Sequence, residues 1–220
     1  MSNWIDAAKW NLQIRNSISA WSKHKRRRFG AKHRSMPIPS FNSDGVLPPF
    51  IGRKGPPEWL SPYRTTAVEV ARVLGTTPTR QTILKGWFNH RAALRAIGFD
   101  RGFQWLVGSF VEDKEPKDLD TVAFLFRPPG IDDEKMLADL MQANGQVFDR
   151  AQVKTTHSVD FMPIDLNGAP DALINDIGYW LNLFSHRRQD NLWKGLLQIT
   201  LEDEAEDKAA VALLDATKAS

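Results

Sequence analysis

The feature that most constrains this chain is a pair of short apolar runs flanking a glycine–serine step and an acidic triplet. From Gly102 the sequence reads GFQWLVGSFVEDKEPKDLD. Phe103-Gln104-Trp105-Leu106-Val107 is short enough for one buried strand. Gly108-Ser109 ends it with a residue that lets backbone approach a ligand closely, followed by a hydroxyl. An eight-residue polar connection, Phe110 to Lys117, leads into Asp118-Leu119-Asp120, and a second apolar run follows from Thr121 to Phe126. Side chains on a strand alternate faces, so Asp118 and Asp120 share a face that Leu119 does not. Taken alone, the pair reads as an ordinary acidic strand start after the charged segment Glu112 to Lys117. Beside a glycine–serine turn, it also reads as a magnesium and phosphate site.

The rest of the composition narrows the chemistry. The 220 residues include no cysteine, which excludes disulfides, zinc–thiolate centres, iron–sulfur clusters and thiol nucleophiles. A reducing compartment fits that usage. No apolar stretch approaches the ~20 residues needed to span a bilayer. Asp6 and polar residues stand where a secretory apolar region would lie, so no signal peptide is expected and the expected location is cytoplasmic. The net charge of +3 is uneven: residues 1–40 hold nine Lys/Arg against Asp6, while the remainder holds 20 basic against 25 acidic residues. Any argument for a polyanion partner therefore belongs to the N-terminal arm.

Three regions are expected: a basic arm over 1–40, a proline-rich extended wrap over 41–62, and a folded domain over 63–220. Within the arm, Trp4, Ala7, Ile14, Ile18 and Trp21 recur at helical spacing over residues 2–22. The basic cluster of residues 23–34 suits RNA, DNA or an acidic protein, an interfacial membrane helix, or a solvated arm docked on the body or on a second subunit. Seven of the 13 prolines lie in residues 35–62, which forbids helix or central strand there. Large apolar residues in the same stretch make it an ordered wrap rather than a free linker.

Ser61-Pro62 is expected to open a helix ending at Gly75, and Thr77-Pro78 a second, from Arg80 to about Ile97. Arg80, Lys85, Arg91 and Arg95 are placed on that helix's wet face. A further helix is expected over about 133–143, a third strand over 155–166, a helix over 170–184, a fourth strand over 193–201, and a final acidic helix with Ala209, Leu213 and Leu214 inward. The fold class expected is α/β (α+β), with a small mixed sheet of about four strands flanked by helices.

Gly108-Ser109, eight residues, then Asp118-Leu119-Asp120, with strand-like residues on both sides, resembles the nucleotidyltransferase superfamily of DNA polymerase β. More narrowly, Gly45-Val46-Leu47-Pro48-Pro49, Gln104 to Asp120, the segment from Tyr179-Trp180 to Arg188, and Trp193-Lys194-Gly195 resemble an uncharacterised bacterial family placed in that superfamily. The likeness spans roughly residues 41–215. One departure is that eight residues between serine and aspartate is short by the standard of many members, which implies a loop that holds the triphosphate differently.

The resemblance implies a metal-dependent transfer of a nucleoside monophosphate from an NTP, with ATP the expected donor. The acceptor stays open among a protein, an RNA end and a nucleotide; the family type also suggests a toxin–antitoxin or phage-defence setting. Mg2+ or Mn2+ would neutralise the triphosphate and activate the attacking hydroxyl, held by hard oxygen ligands from Asp118 and Asp120. Superfamily members add a third carboxylate from a neighbouring strand. Asp160 is chosen because a carboxylate within Ser158-Val159-Asp160-Phe161-Met162 is costly unless partnered or metal-bound; Asp165 is the alternative. Ser109 and the amides near Gly108 would contact the β and γ phosphates. His186, Arg187, Arg188 and Lys194 form a second basic group that suits triphosphate or acceptor contact, or simply complements a helix C-terminus. Neither His157 nor His186 is assigned as a metal ligand. The competing function is a non-catalytic module of the same fold that binds nucleic acid or a protein through its basic arm.

Overall fold

The structure, a computed structural model, describes residues 37–52 and 59–216. The expected helix over 2–22, the basic cluster over 23–34, and Pro56 and Pro57 of the wrap lie outside the described residues. Among the described residues the architecture is mixed α/β: seven helices and a mixed sheet of five strands, with a separate two-stranded hairpin. The strands are β1 (Tyr63–Arg64), β2 (Gly102–Val107), β3 (Leu119–Leu125), β4 (Val159–Asp165), β5 (His186–Arg187), β6 (Leu192–Trp193) and β7 (Leu197–Thr200). The helices are α1 (Ala67–Leu74), α2 (Pro78–Ala96), α3 (Glu134–Ala143), α4 (Gly145–Phe148), α5 (Arg150–His157), α6 (Pro170–Phe184) and α7 (Glu204–Ala216). The main sheet runs β1-β7-β2-β3-β4, with β1/β7 and β3/β4 parallel and the two central pairings antiparallel.

Period-two alternation sorts the strands onto two cores. Leu106, Leu119, Phe161 and Leu197 face the larger one, under Leu74, Trp87, Leu94, Val153 and Leu214 from the helices. Trp105, Val107, Val122, Phe124, Met162 and Ile164 face the other, covered by α6 through Phe184 and partly buried Ile177 and Trp180. Fully burying a side chain of this size contributes about 1.5–3 kcal/mol. No helix of the described residues is long and apolar enough to cross a membrane.

Several expectations need correction. The helix placed at Ser61-Pro62 begins instead after Thr66, whose hydroxyl accepts from the amide of Glu69 at 3.2 Å. The residues before it form β1, the fifth strand: Tyr63 is fully buried, and its amide donates to the carbonyl of Leu196. The strand expected over 155–166 is helical up to His157 and becomes β4 only after Ser158, which caps α5 in the left-handed conformation. β-branched Thr155 and Thr156 suggested strand, but Asp149 caps the helix and the Thr155 hydroxyl bonds back to the carbonyl of Ala151. The strand expected over 193–201 is split between β6 and β7 by Gly195, where a Cβ would lie 2.5 Å from the carbonyl oxygen of Pro48. In α7 it is Ala210, not Ala209, that is buried beside Leu214.

The largest correction concerns α2. Its arginines are not a wet face: Arg91 is fully buried and Arg80 is 5% exposed. Arg80 donates to the carbonyls of Phe110, Glu112 and Lys114 at 2.7–3.0 Å, and Arg91 is engaged by Asp207. A guanidinium's five donors make such burial tolerable once each finds an acceptor. Lys85 stays nearer the surface, paired with Asp215.

Candidate active site

The site forms where β2 ends and β3 and β4 begin, on the sheet face covered by α6. Val107 closes β2, and Gly108–Val111 makes a single 3-10 turn. At Gly108 the backbone is left-handed (φ +68°), and a Cβ would sit 1.8 Å from Oδ2 of Asp120. Only glycine gives both the conformation and the space. Phe110 and Val111 are buried, so the connection expected to be polar is anchored in the core, with Arg80 gripping three of its carbonyls. The wrap braces the same loop. Val46 bridges to Glu112, the amide of Asp113 donates to Gly45, and the amide of Gly195 donates to Leu47. The separate segments Gly45–Pro49 and Trp193–Gly195 thus meet around Gly108-Ser109.

Asp120 and Asp160 are register partners on the parallel strands β3 and β4. Neighbouring strands lie about 4.8 Å apart, so their carboxylates start as neighbours. Asp118 immediately precedes β3. All eight residues nominated from sequence, Gly108, Ser109, Asp118, Asp120, Asp160, Arg187, Arg188 and Lys194, line one cleft of about 590 Å3. The alternative third carboxylate, Asp165, lies at the far end of β4, opposite Leu125, where Arg127 pairs with it at 2.6 Å. It is not part of the cleft.

The basic group divides. Lys194 is 3% exposed, pairs with Glu112, and donates to the carbonyl of Gly108 at 2.8 Å. Burial pulls its pKa down, opposed by Glu112. Burial pushes Glu112 up, but Lys114 and Lys194 outweigh it and leave the carboxyl below its usual range. Lys194 is therefore a buried anchor of the Gly-Ser turn. Arg187 is held by Asp190 and donates to the carbonyl of Asp44 at 2.7 Å, tying the β5–β6 hairpin to the wrap. Arg188 is exposed and makes no hydrogen bond or ion pair among the described residues, so its guanidinium is available to a ligand. His186 lines the cleft with Nδ1 3.1 Å from the Ser185 hydroxyl, while His157 packs against the buried ring of His90.

Sequence reading missed two residues of the site, Arg150 and Lys154. Arg150 holds Asp160 through both oxygens, one contact from Nη2 at 2.9 Å. The Lys154 ammonium bridges Asp118 at 2.6 Å and Asp160 at 3.3 Å. Both stand on α5 one turn apart and so share a face. Their signal was present in Asp149 as a cap followed by basic residues at i and i+4, but the strand reading of Thr155-Thr156 concealed it. Gly86 seats this helix against α2: a Cβ there would lie 2.1 Å from the carbonyl oxygen of His157.

The electrostatics single out Asp120. Burial first, then the charges of Asp118 and Asp160, push its pKa up to about 6, against the pull of Lys154 and Arg188. It receives no hydrogen bond or ion pair among the described residues. Asp160 is held below the usual carboxylate range, chiefly by its hydrogen bond from Arg150. Among the described residues no three acidic or histidine groups are already set as a metal-ligand cluster, and Asp118 and Asp160 are paired with Lys154 and Arg150. The donor set nevertheless fits a hard divalent cation. It offers three carboxylates at one strand edge, one of them unpartnered and reluctant to ionise without a positive charge nearby.

A family model matches residues 39–200, and the chain belongs to that family, DUF6932, a family of unknown function. No curated protein matches the chain, and no solved structure matches it. The matched span contains the wrap, the Gly-Ser turn, all three carboxylates, α5 and the β5–β6 hairpin.

Proposed function

We propose that this cleft is the active site of a nucleotidyltransferase-like fold that moves a nucleoside monophosphate from an NTP, ATP being the expected donor, to an acceptor hydroxyl. The observation that carries the reading is the convergence of residues separated widely in sequence. Gly108-Ser109, Asp118, Asp120 and Asp160 meet at one end of three adjacent strands and line a single cleft with Arg188. The resemblance read from sequence requires that convergence, and an acidic strand start of no function does not.

In this reading Asp118, Asp120 and Asp160 hold Mg2+ or Mn2+. The metal would supply charge neutralisation at the triphosphate and activation of the attacking hydroxyl. The chain's own residues supply the rest. The left-handed turn at Gly108 brings backbone close to the ligand, and Ser109 offers a hydroxyl where phosphate would lie. Arg188 offers a planar donor fork suited to phosphate oxygens. Tyr179 and Trp180 form an aromatic wall at the same cleft.

The experiment is incubation of the full chain with labelled NTPs, Mg2+ or Mn2+, and cell lysate, followed by identification of the labelled product. Transfer that requires metal and disappears in the Asp118→Ala/Asp120→Ala double variant is the expected result. Calorimetry showing no metal-dependent NTP binding, with the double variant behaving as wild type, would sink the reading.

A further inference from the structure

Two of the three carboxylates of the cleft are already paired. Asp118 and Asp160 are each held by a cation from α5, while Arg188 of the β5–β6 hairpin lines the same cleft as Asp120 without pairing to it. The cleft is lined by four acidic residues and six Lys/Arg, so its carboxylates are already more than balanced. A divalent cation arriving alone would therefore enter a site with no negative charge to spare and meet an ammonium on two of its three ligands. An anionic triphosphate alone would find, among the described lining residues, only Arg188 uncommitted. A dication and a triphosphate arriving together solve both problems.

We propose that Lys154 and Arg150 are exchangeable counter-cations, which hold the carboxylates in the free protein and pass to the phosphates when a metal–nucleotide pair takes the carboxylates. This rests on the proposed nucleotidyl-transfer reading and assigns two residues that the reading does not use. Three features of the structure favour exchange over a permanent brace. The Lys154 and Arg150 side chains are 49% and 63% exposed, so each can leave its carboxylate for water or another anion at small cost. Both reach the site by long side chains from a helix fixed against α2 at Gly86, so the exchange needs rotamer changes and no movement of backbone. Asp120, in register with Asp160 and two residues from Asp118, has no such partner among the described residues, which leaves one acceptor for the incoming cation. The buried Lys194, clamped by Glu112 and the carbonyl of Gly108, has none of this freedom.

The consequence is coupled binding. Metal and nucleotide each bind weakly alone and tightly together, and Lys154 is part of the reason. The test uses the full chain, with Mn2+ as probe metal followed by electron paramagnetic resonance, alone and with a non-hydrolysable ATP analogue. Wild type is expected to bind Mn2+ at least about tenfold more tightly with the analogue than without it. Lys154→Met removes the competing ammonium, so it is expected to bind Mn2+ alone about five- to tenfold more tightly than wild type, and the analogue correspondingly less tightly. Arg150→Met should move both affinities in the same directions, and Lys154→Arg should restore wild-type behaviour. Thermal melting of each variant confirms that the fold is intact.

Tighter Mn2+ binding with weaker analogue binding supports exchange. Mn2+ affinity in both Met variants equal to or below that of wild type overturns the exchange and leaves the active-site reading standing. A wild-type chain that binds neither Mn2+ nor the analogue under any condition overturns both.

Discussion

Two clusters in this molecule pair cations with carboxylates, and they are built to opposite ends. In the first, Arg91 of α2 is fully buried and Asp207 of α7 is 3% exposed. Arg91 grips Asp207 with two nitrogens at 2.7 and 3.0 Å, and spends its other donors on Gln104 at 3.1 Å and the carbonyl of Thr200 at 2.7 Å. Its guanidinium lies over the Trp87 ring, and Arg95 adds a second cation to the same carboxylate. Burial pulls Arg91 down, and Asp207 opposes it. In the second cluster the acids are the more enclosed members, the cations are half-exposed, and Asp120 is left over. A closed network locks two helices to the sheet. An open one keeps charges poised for exchange. Composition does not distinguish them; accessibility of the cation does.

The comparison breaks most visibly at Arg91. Removing one partner of a buried pair leaves an uncompensated charge, so Arg91→Met is expected to lose about 3–5 kcal/mol. Urea denaturation reads this as a lower midpoint at an unchanged slope. A loss below about 1 kcal/mol would mean that the buried network is no firmer than the cleft.

The next effect has the opposite sign. Asp120 has a folded pKa raised from 3.8 to about 6. As pH rises past 4 the unfolded chain releases this proton, while the folded protein keeps it until about 6. Stability associated with this group is therefore fully present below pH 4, falls across the window from 4 to 6, and stays low above it. Asp120→Asn removes the penalty. At pH 7.5 the variant is expected to be more stable than wild type by on the order of 2–3 kcal/mol, and at pH 3.5 the two should converge. Thermal melting across pH checks it, and a variant less stable at pH 7.5 would show Asp120 to be a satisfied structural residue.

Legibility from sequence follows the same division. Two short apolar runs point to β2 and β3, and Asp160 is the candidate third carboxylate because a charge within an apolar strand needs a partner. What that reasoning could not supply was the partner's identity. A basic residue on a helix is read by default as solvated, which failed for Arg91 and Arg80 because their acceptors come from distant loops and α7. Lys194, grouped with His186, Arg187 and Arg188 as a phosphate or acceptor contact or a complement to a helix C-terminus, follows an exposed tryptophan yet reaches inward to the carbonyl of Gly108. Arg150 and Lys154 were lost for a local reason, since Thr155-Thr156 carries strand propensity that the Asp149 cap and tertiary packing override. The two-residue β1 was invisible because its place in the sheet depends on pairing with β7, more than a hundred residues away.

The smallest effect gives the finest distinction. Lys154→Met removes a cation that touches two carboxylates, so a count of contacts ranks it with Arg91. Accessibility ranks it far lower. Asp160 retains Arg150, Asp118 borders solvent, and the ammonium is itself half in water. The expected loss is about 0–1 kcal/mol. It should shrink further as salt is raised from 50 mM to 1 M, because screening acts on exposed pairs and hardly on buried ones. The Arg91→Met loss should hold nearly constant over the same range. Two denaturation series against salt therefore separate the clusters even where a single condition does not. A Lys154→Met loss above about 2 kcal/mol that ignores salt would place Lys154 with Arg91 as a fixed brace and remove the basis for exchange at the cleft.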